Sequence, residues 1–372
     1  MNTKPHYDLL DGLRGVAALM VLLYHLFEAI AFAAGAPEQD LYHGFMGVDF
    51  FFVLSGFVMG YAYDDRWNRM SVGQFIKRRL IRLHPMVMIG VAFGLLAFII
   101  QGCVTWEGEV VSIATLVVTT VMALFMLPVI SKGLDVRGNT EMFPLNGPHW
   151  SLFFEYFGSL LYALLLHKIS AKALRIWVAA AAVALVLNAI TIGDGSIAYG
   201  WSYEPLNMAG GALRILFAYP AGLLLAREFH AREIKPTRLP AFSLSAIALI
   251  VILAAPNFST IFDTKNASAA YQCLCVIFFF PLIIAFAARG NVVGWMQRMV
   301  SYLGRLSYPL YTIHYPMIYL YIHWINTNRH PFGQWEYATP IGVAAVSIVL
   351  AMICLRFYDE PLRKYLNKKY IK

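Results

Sequence analysis

Charged residues are scarce in this sequence: Asp, Glu, Lys and Arg make up 13% of its 372 residues. A soluble domain carries about twice that fraction, so the composition leaves no room for a separate soluble domain. Acids are the scarcer sign, 21 against 29 Lys and Arg, for a formal net charge of +8. That excess does not call for nucleic acid as a partner. The basic residues collect in short connections between apolar runs, as expected for the cytoplasmic face of a membrane protein. Cysteine is limited to Cys103, Cys273, Cys275 and Cys354, all in or beside apolar segments. Their spacing fits neither a disulfide framework nor a zinc site, so they read as packing residues and no metal is expected. No small-residue cleavage site follows a short apolar core near the start, and the first run reads as an uncleaved span. Internal repeats and low-complexity tracts are also missing.

What fills the chain is apolar. Hydrophobic residues make up 59% and aromatics 15%, with a mean hydropathy of +0.62. The class this implies is all-α: a polytopic membrane protein, with residues 1–372 forming a single membrane-embedded domain.

The first apolar run, from Asp8 to Leu26, is built of Leu, Val, Ala and Met without Pro and reads as a spanning helix. Asp11, Arg14 and His25 interrupt it. At 100° per residue, Arg14 and His25 fall about 20° apart on the helix surface and roughly 16 Å apart along its axis. Asp11 sits one turn before Arg14 and can pair with it. Ionisable groups at membrane depth are costly unless they face a cavity or a partner, so this stripe is expected to line a site.

Eleven apolar runs follow from the hydropathy pattern: 9–33, 45–63, 85–100, 110–130, 148–166, 176–192, 209–226, 239–255, 269–288, 299–325 and 338–357. Arg66, Arg69, Lys77, Arg78, Arg79 and Arg82 form the densest basic cluster, placing that connection in the cytoplasm. The N-terminus, with Lys4, and the tail, with Arg363, Lys364, Lys368, Lys369 and Lys372, then also read as cytoplasmic. Two cytoplasmic termini require an even number of crossings. The mismatch falls between Arg82 and Lys168, where three runs separate two flanks that both read as internal: either one run is re-entrant or interfacial, or the Lys168–Arg175 loop breaks the charge rule.

Five stretches together resemble the acyltransferase 3 family. They are Asp11-Gly12-Leu13-Arg14-Gly15 with Tyr24-His25; residues 47–57, Gly-Val-Asp to Ser-Gly-Phe; residues 78–85, Arg-Arg-Leu to Leu-His-Pro; residues 150–155, Trp-Ser-Leu to Phe-Glu; and residues 303–316, Leu-Gly-Arg to His-Tyr-Pro. They keep the family's order over nearly the whole chain. The resemblance implies a bacterial inner-membrane enzyme of about ten transmembrane helices, so that one run is re-entrant or interfacial. It further implies transfer of an acyl group, most often acetyl, from acetyl-CoA to a carbohydrate hydroxyl, in surface polysaccharide, lipopolysaccharide or a lipid-linked sugar.

His25 is the candidate base, since an imidazole titrates near neutral pH and can take the proton of an attacking hydroxyl. Read alone, it equally suits a packing histidine. The resemblance carries the family's arginine–histidine pairing onto Arg14 and His25, and an arginine pair with two intervening residues onto Arg79 and Arg82. Arg14, Arg79 and Arg82 are then the clamps for the donor's phosphates. Without the resemblance, the basic cluster equally suits helix orientation and lipid headgroups. Ser151 and Glu155 share a helix face. Glu155 is assigned with His25 to catalysis, orienting the ring or binding the sugar, with a satisfied structural acid as the alternative. Ser151 lacks a nucleophile-elbow motif. Asp11, Asp49, Ser151, Tyr308 and His314 are assigned supporting or substrate-binding roles, His314 matching a late family histidine. Glu28, Ser55, Asn146, His149 and Tyr311 are weaker candidates. The rival class is a secondary transporter using the intramembrane Asp, Arg, His and Glu as a substrate or proton path; the absence of an inverted repeat speaks against it. Acylation of a small-molecule acceptor is a third reading.

Overall fold

The computed structural model describes residues 7–34, 42–231, 236–237, 239–328 and 338–371. Lys4, Lys372, most of the loop after the first run and residues 329–337 lie outside them. Within them the fold is helical: α1 Asp8–Ala33, α2 Gly47–Tyr63, α3 Val72–Ile100, α4 Ile113–Leu124, α5 His149–Leu164, α6 Ala171–Ile190, α7 Pro205–Ala231, α8 Ala241–Leu253, α9 Phe258–Phe262, α10 Ala267–Leu274, α11 Phe280–Ala287, α12 Gly294–Thr327, α13 Ala338–Cys354 and α14 Glu360–Tyr370. Wider π-type turns at Cys275–Phe279 and Leu355–Asp359 join α10 to α11 and α13 to α14. The only strand-like pairings among the described residues are isolated bridges, Val104 with Val110 and Glu141 with Ser202.

Seven stretches among the described residues are long and apolar enough to cross a membrane: α1, α2 with the turn before it, α3, α6, most of α7, α10 through α11, and α13 through α14. The larger count expected from the resemblance depends on α5, α8 and α12, which fall short in length or apolarity.

The run at 110–130 folds back on its own flanks. Its helix, α4, has 12 residues and is about 18 Å long, too short for a hydrocarbon core of about 30 Å. The chain on either side of it stays together. Trp106 N–H donates to the Arg137 carbonyl at 3.0 Å, and the Thr119 hydroxyl donates to the Leu134 carbonyl at 2.8 Å. Hydropathy sees only that residues 110–130 are apolar, so the doubling back is invisible to it.

Small residues lie in the two most extensive helix–helix contacts, as in membrane bundles generally. On α1 against α12, a Cβ added to Gly15 would sit 2.7 Å from the Leu303 carbonyl oxygen. On α2 against α7, Gly56 faces the Tyr219 backbone and Gly222 faces that of Val53. α3 begins with a capping box: the Gln74 N–H donates to the Ser71 hydroxyl, and the Gln74 side chain returns the bond to the Ser71 N–H. Pro316 in α12 has no N–H to offer the Thr312 carbonyl. The Asn146 side-chain amide takes that carbonyl at 2.8 Å, tying the segment before α5 to α12.

Candidate active site

α1 starts, α2 ends and α3 starts at the same end of the bundle, which brings the arginines together; this is called the basic end below. A cavity of about 330 Å³ opens there, lined by Asp11, Arg14, Arg66, Arg79, Arg82 and Glu155 among others. Arg14 Nη1 lies 3.8 Å from Asp11 Oδ1, the pairing that their spacing predicts. Arg79 is buried and spends its donors on neighbours: Nη2 on Glu155 Oε1 at 2.7 Å and Nε on the Ser159 hydroxyl at 3.1 Å. The Ser55 hydroxyl donates to the same Glu155 oxygen at 3.0 Å. Arg82 is exposed and pairs with no carboxylate among the described residues.

His25 stands in a second cavity, of about 100 Å³, with Glu28, Glu141, Trp150, Arg214 and Tyr315 in its walls. A small cavity of about 30 Å³ lies between the two. It shares Arg14, Ser55 and Glu155 with the first cavity, and Val48 and Tyr311 with the second. Ser151 and Tyr308 also line it. Beyond His25, a wide polar cavity of about 640 Å³ at the opposite end shares Tyr24, Phe45, Ala198 and Trp201 with the histidine's own. Neighbouring members of these four spaces share wall residues.

The hydrogen bonds fix which nitrogen of His25 is available. The Leu310 carbonyl, 3.0 Å from His314 Nδ1, can only accept, so that nitrogen carries the proton. In neutral His314, Nε2 is then an acceptor. His25 Nδ1, 2.8 Å away, must donate to it. The lone pair of neutral His25 is left on Nε2, on the side of Glu28, whose Oε2 is 3.9 Å away. The two rings stack at 5.0 Å and 15°. Orientation of a catalytic nitrogen by the bond made at the other ring nitrogen is a general device, and here a second histidine supplies it.

The remaining candidates are distributed as follows. Glu155 is committed to Arg79 and Ser55 at the basic end and forms no hydrogen bond or ion pair with His25. Ser151 shares a 2.5 Å hydrogen bond with the Tyr311 hydroxyl. The Tyr308 hydroxyl donates to the Leu83 carbonyl at 2.7 Å, fastening α12 to α3. Asp49 is fully buried and held by both arms of Arg214, at 2.9 and 2.7 Å. Asn146 and His149 are buried beside Gly90 of α3, and the His149 ring makes no hydrogen bond among the described residues.

Two wall residues, Arg214 and Glu141, and Arg137 behind them were not legible as site residues. Arg214 is the only charge in the apolar run 209–226, and a lone intramembrane arginine was the signal that could have found it. Arg137 and Glu141 come from the polar loop between α4 and α5. The Arg137 guanidinium lies 3.3 Å over the Tyr319 ring, and the Tyr319 hydroxyl donates to Glu141. Burial pushes the Glu141 carboxyl up to about 8, against the pull of the Arg137 charge and the Tyr319 hydroxyl. No group of three or more His, Cys, Asp and Glu among the described residues is placed to hold a metal ion.

Comparison with known proteins gives this site its family. The peptidoglycan O-acetyltransferase OatA of Listeria monocytogenes is 25% identical over 393 residues, covering 97% of this chain and 56% of its own length. The O-acetyltransferase OatA of Staphylococcus aureus is 24% identical over 373 residues, covering 95% of this chain and 57% of its own. Protein 2 in picA locus of Rhizobium radiobacter is 31% identical over 173 residues, 44% of this chain and 85% of its own length. The chain thus spans little more than half the length of the OatA relatives. No solved structure matches it significantly. A family profile described as acyltransferase domain matches residues 7–356, and by that match the chain belongs to the acyltransferase 3 family.

Proposed function

We propose that this protein is a membrane O-acetyltransferase. It takes an acetyl group from cytosolic acetyl-CoA at the basic end and delivers it to a carbohydrate hydroxyl at His25. The observation that carries this reading is the set of adjoining cavities that lie between a cluster of arginines and a histidine whose hydrogen bond to His314 leaves the Nε2 lone pair for chemistry. Arg14 and Arg82 suit the donor's phosphates, because guanidinium groups stay charged and offer forked donors, while Arg79, with its donors on Glu155 and Ser159, adds its charge to the same cavity. His25 Nε2 takes the proton of the attacking hydroxyl as the oxygen closes on the thioester carbonyl. The ester forms, the carbon–sulfur bond breaks, and the thiolate of coenzyme A recovers the proton. His314 holds the ring in the required tautomer, and the carboxyl of Glu28 lies where the transient imidazolium forms. Glu155 acts at a distance from the proton transfer, by holding Arg79 in place.

The acceptor side is the wide polar cavity at the opposite end, with tyrosine, tryptophan, amide and carboxylate groups suited to a sugar's hydroxyls and apolar faces. The names of the OatA relatives, one of them a peptidoglycan O-acetyltransferase, support a cell-surface glycan as acceptor. The protein works as one unit in the bacterial inner membrane, with the basic end and both termini in the cytoplasm. The test uses membrane vesicles carrying the protein, supplied with radiolabelled acetyl-CoA and the host's glycan. Label is expected in alkali-labile esters on the glycan, and its absence with folded protein overturns the reading.

A further inference from the structure

A second cavity opens at the basic end, beside the one assigned to the donor. It measures about 370 Å³ and is lined by Arg78 and Arg82 of α3 and by Arg363, Lys364 and Asn367 of α14. It shares Tyr63 and Arg82 with the first cavity, so the two adjoin. One acid, Glu360, lines it too, but Glu360 is engaged by Arg305 at 3.0 Å. Arg363 reaches the buried Asp359 with Nη2 at 3.2 Å, while its Nε is buried with no hydrogen-bond partner among the described residues. Arg78, Arg82 and Lys364 form no ion pair with a carboxylate among those residues. Cations gathered without counter-charges repel one another, and the low-dielectric walls of a cleft strengthen their field toward an incoming anion. The arrangement is made by the π-type turn Leu355–Asp359, after which α14 packs its basic side on the start of α3.

We propose that this cavity is a phosphate-binding site separate from the first. Two sources share the chemistry: the 3′-phosphate of the acyl-CoA donor, and the headgroup of an anionic phospholipid at the membrane surface. For the first source the proposal rests on the donor reading above. Coenzyme A carries a pyrophosphate and a separate phosphate on one ribose, and two cation-lined cavities meeting at Arg82 fit that pair. For the second, basic segments at a membrane face attract anionic headgroups. Forked guanidinium donors and one ammonium suit phosphate oxygens from either source.

The experiment compares the native chain in detergent with Arg78→Ala, Lys364→Ala and Lys364→Arg. Each is titrated with coenzyme A and with dephospho-coenzyme A, and retained phosphatidylglycerol is measured by native mass spectrometry. Lys364 is exposed at the cavity rim, so its replacement disturbs no packing. One charge-assisted phosphate contact corresponds to about tenfold in affinity. If the nucleotide is the source, the native protein prefers coenzyme A over dephospho-coenzyme A by about that factor. The two alanine variants then lose the preference while holding dephospho-coenzyme A as before, and Lys364→Arg keeps it. If lipid is the source, the native protein binds both nucleotides equally and the alanine variants shed phosphatidylglycerol. Equal nucleotide binding together with unchanged lipid retention overturns the proposal. Failure of the donor reading looks different: the native protein binds neither nucleotide, and lipid retention alone then decides the phosphate site.

Discussion

At the start of α1, Arg14 keeps Asp11 at 3.8 Å, and nearby Arg79 holds Glu155 at 2.7 Å. Further along the same helix, His25 meets another histidine instead, with 2.8 Å between ring nitrogens. The first region is built from permanent charges, and its guanidinium groups suit an anionic ligand at any physiological pH. The second is built from groups that change protonation, and its hydrogen bonds decide where one proton sits. Binding calls for charge that does not move, chemistry for charge that does. Ser151, Tyr308 and Tyr311 line the small cavity between the two.

The sharpest way to separate the regions is to remove the movable proton. His25→Gln keeps size and one hydrogen bond but cannot act as a base, and transfer is expected to slow by about 10²–10⁴-fold. Donor affinity should stay at the native value, checked by single-turnover acetyl transfer beside a binding titration. Near-native turnover would remove His25 from the mechanism. At the other region, Arg79→Ala leaves Glu155 buried without its cation, and about 3–5 kcal/mol of stability should be lost. Denaturation in detergent measures this, and Glu155→Gln in the same chain should restore part of it. If Arg79→Ala unfolds no more readily than the native protein, the ion pair is not structural.

Smaller effects refine the contrast. Arg82 is exposed and pairs with no carboxylate among the described residues, so Arg82→Ala should weaken acetyl-CoA binding about tenfold and leave the melting temperature unchanged. His314→Ala removes one hydrogen bond to His25, which should lower kcat by roughly tenfold with donor affinity unaffected. A fall in affinity instead would place His314 on the binding side. The mildest effect is on pH dependence. Burial pushes the Glu141 carboxyl to about 8 from an ordinary 4.5. The fold therefore favours the protonated form. That contribution is full below the unfolded value and is lost as pH rises through the folded one. The melting temperature should decline between those limits, and Glu141→Gln should flatten the decline.

Much of this site could be read in the sequence where the cause was local. The Asp11–Arg14 pair and the shared stripe with His25 follow from helical periodicity, and the arginines at 78–82 cluster because they are near in sequence. The partner of Glu155 could not be read that way, since Arg79 lies 76 residues away. Nor could the partner of His25, which is 289 residues away. Arg214 was passed over because its apolar neighbours made the run look like a plain span, yet it closes on Asp49 across 165 residues.

The sequence by itself determined an all-helical membrane class, the family, and the placing of basic residues at one end. These depend on apolarity, periodicity and motif order, which are properties of neighbouring residues. Only the tertiary structure decided that residues 110–130 double back, that His314 sets the tautomer of His25, and that Glu155 serves Arg79. Each is a choice among partners far apart in the chain. Such choices are made by helix packing, through close approaches such as Gly15 on Leu303 and Gly56 on Tyr219, which no local pattern encodes.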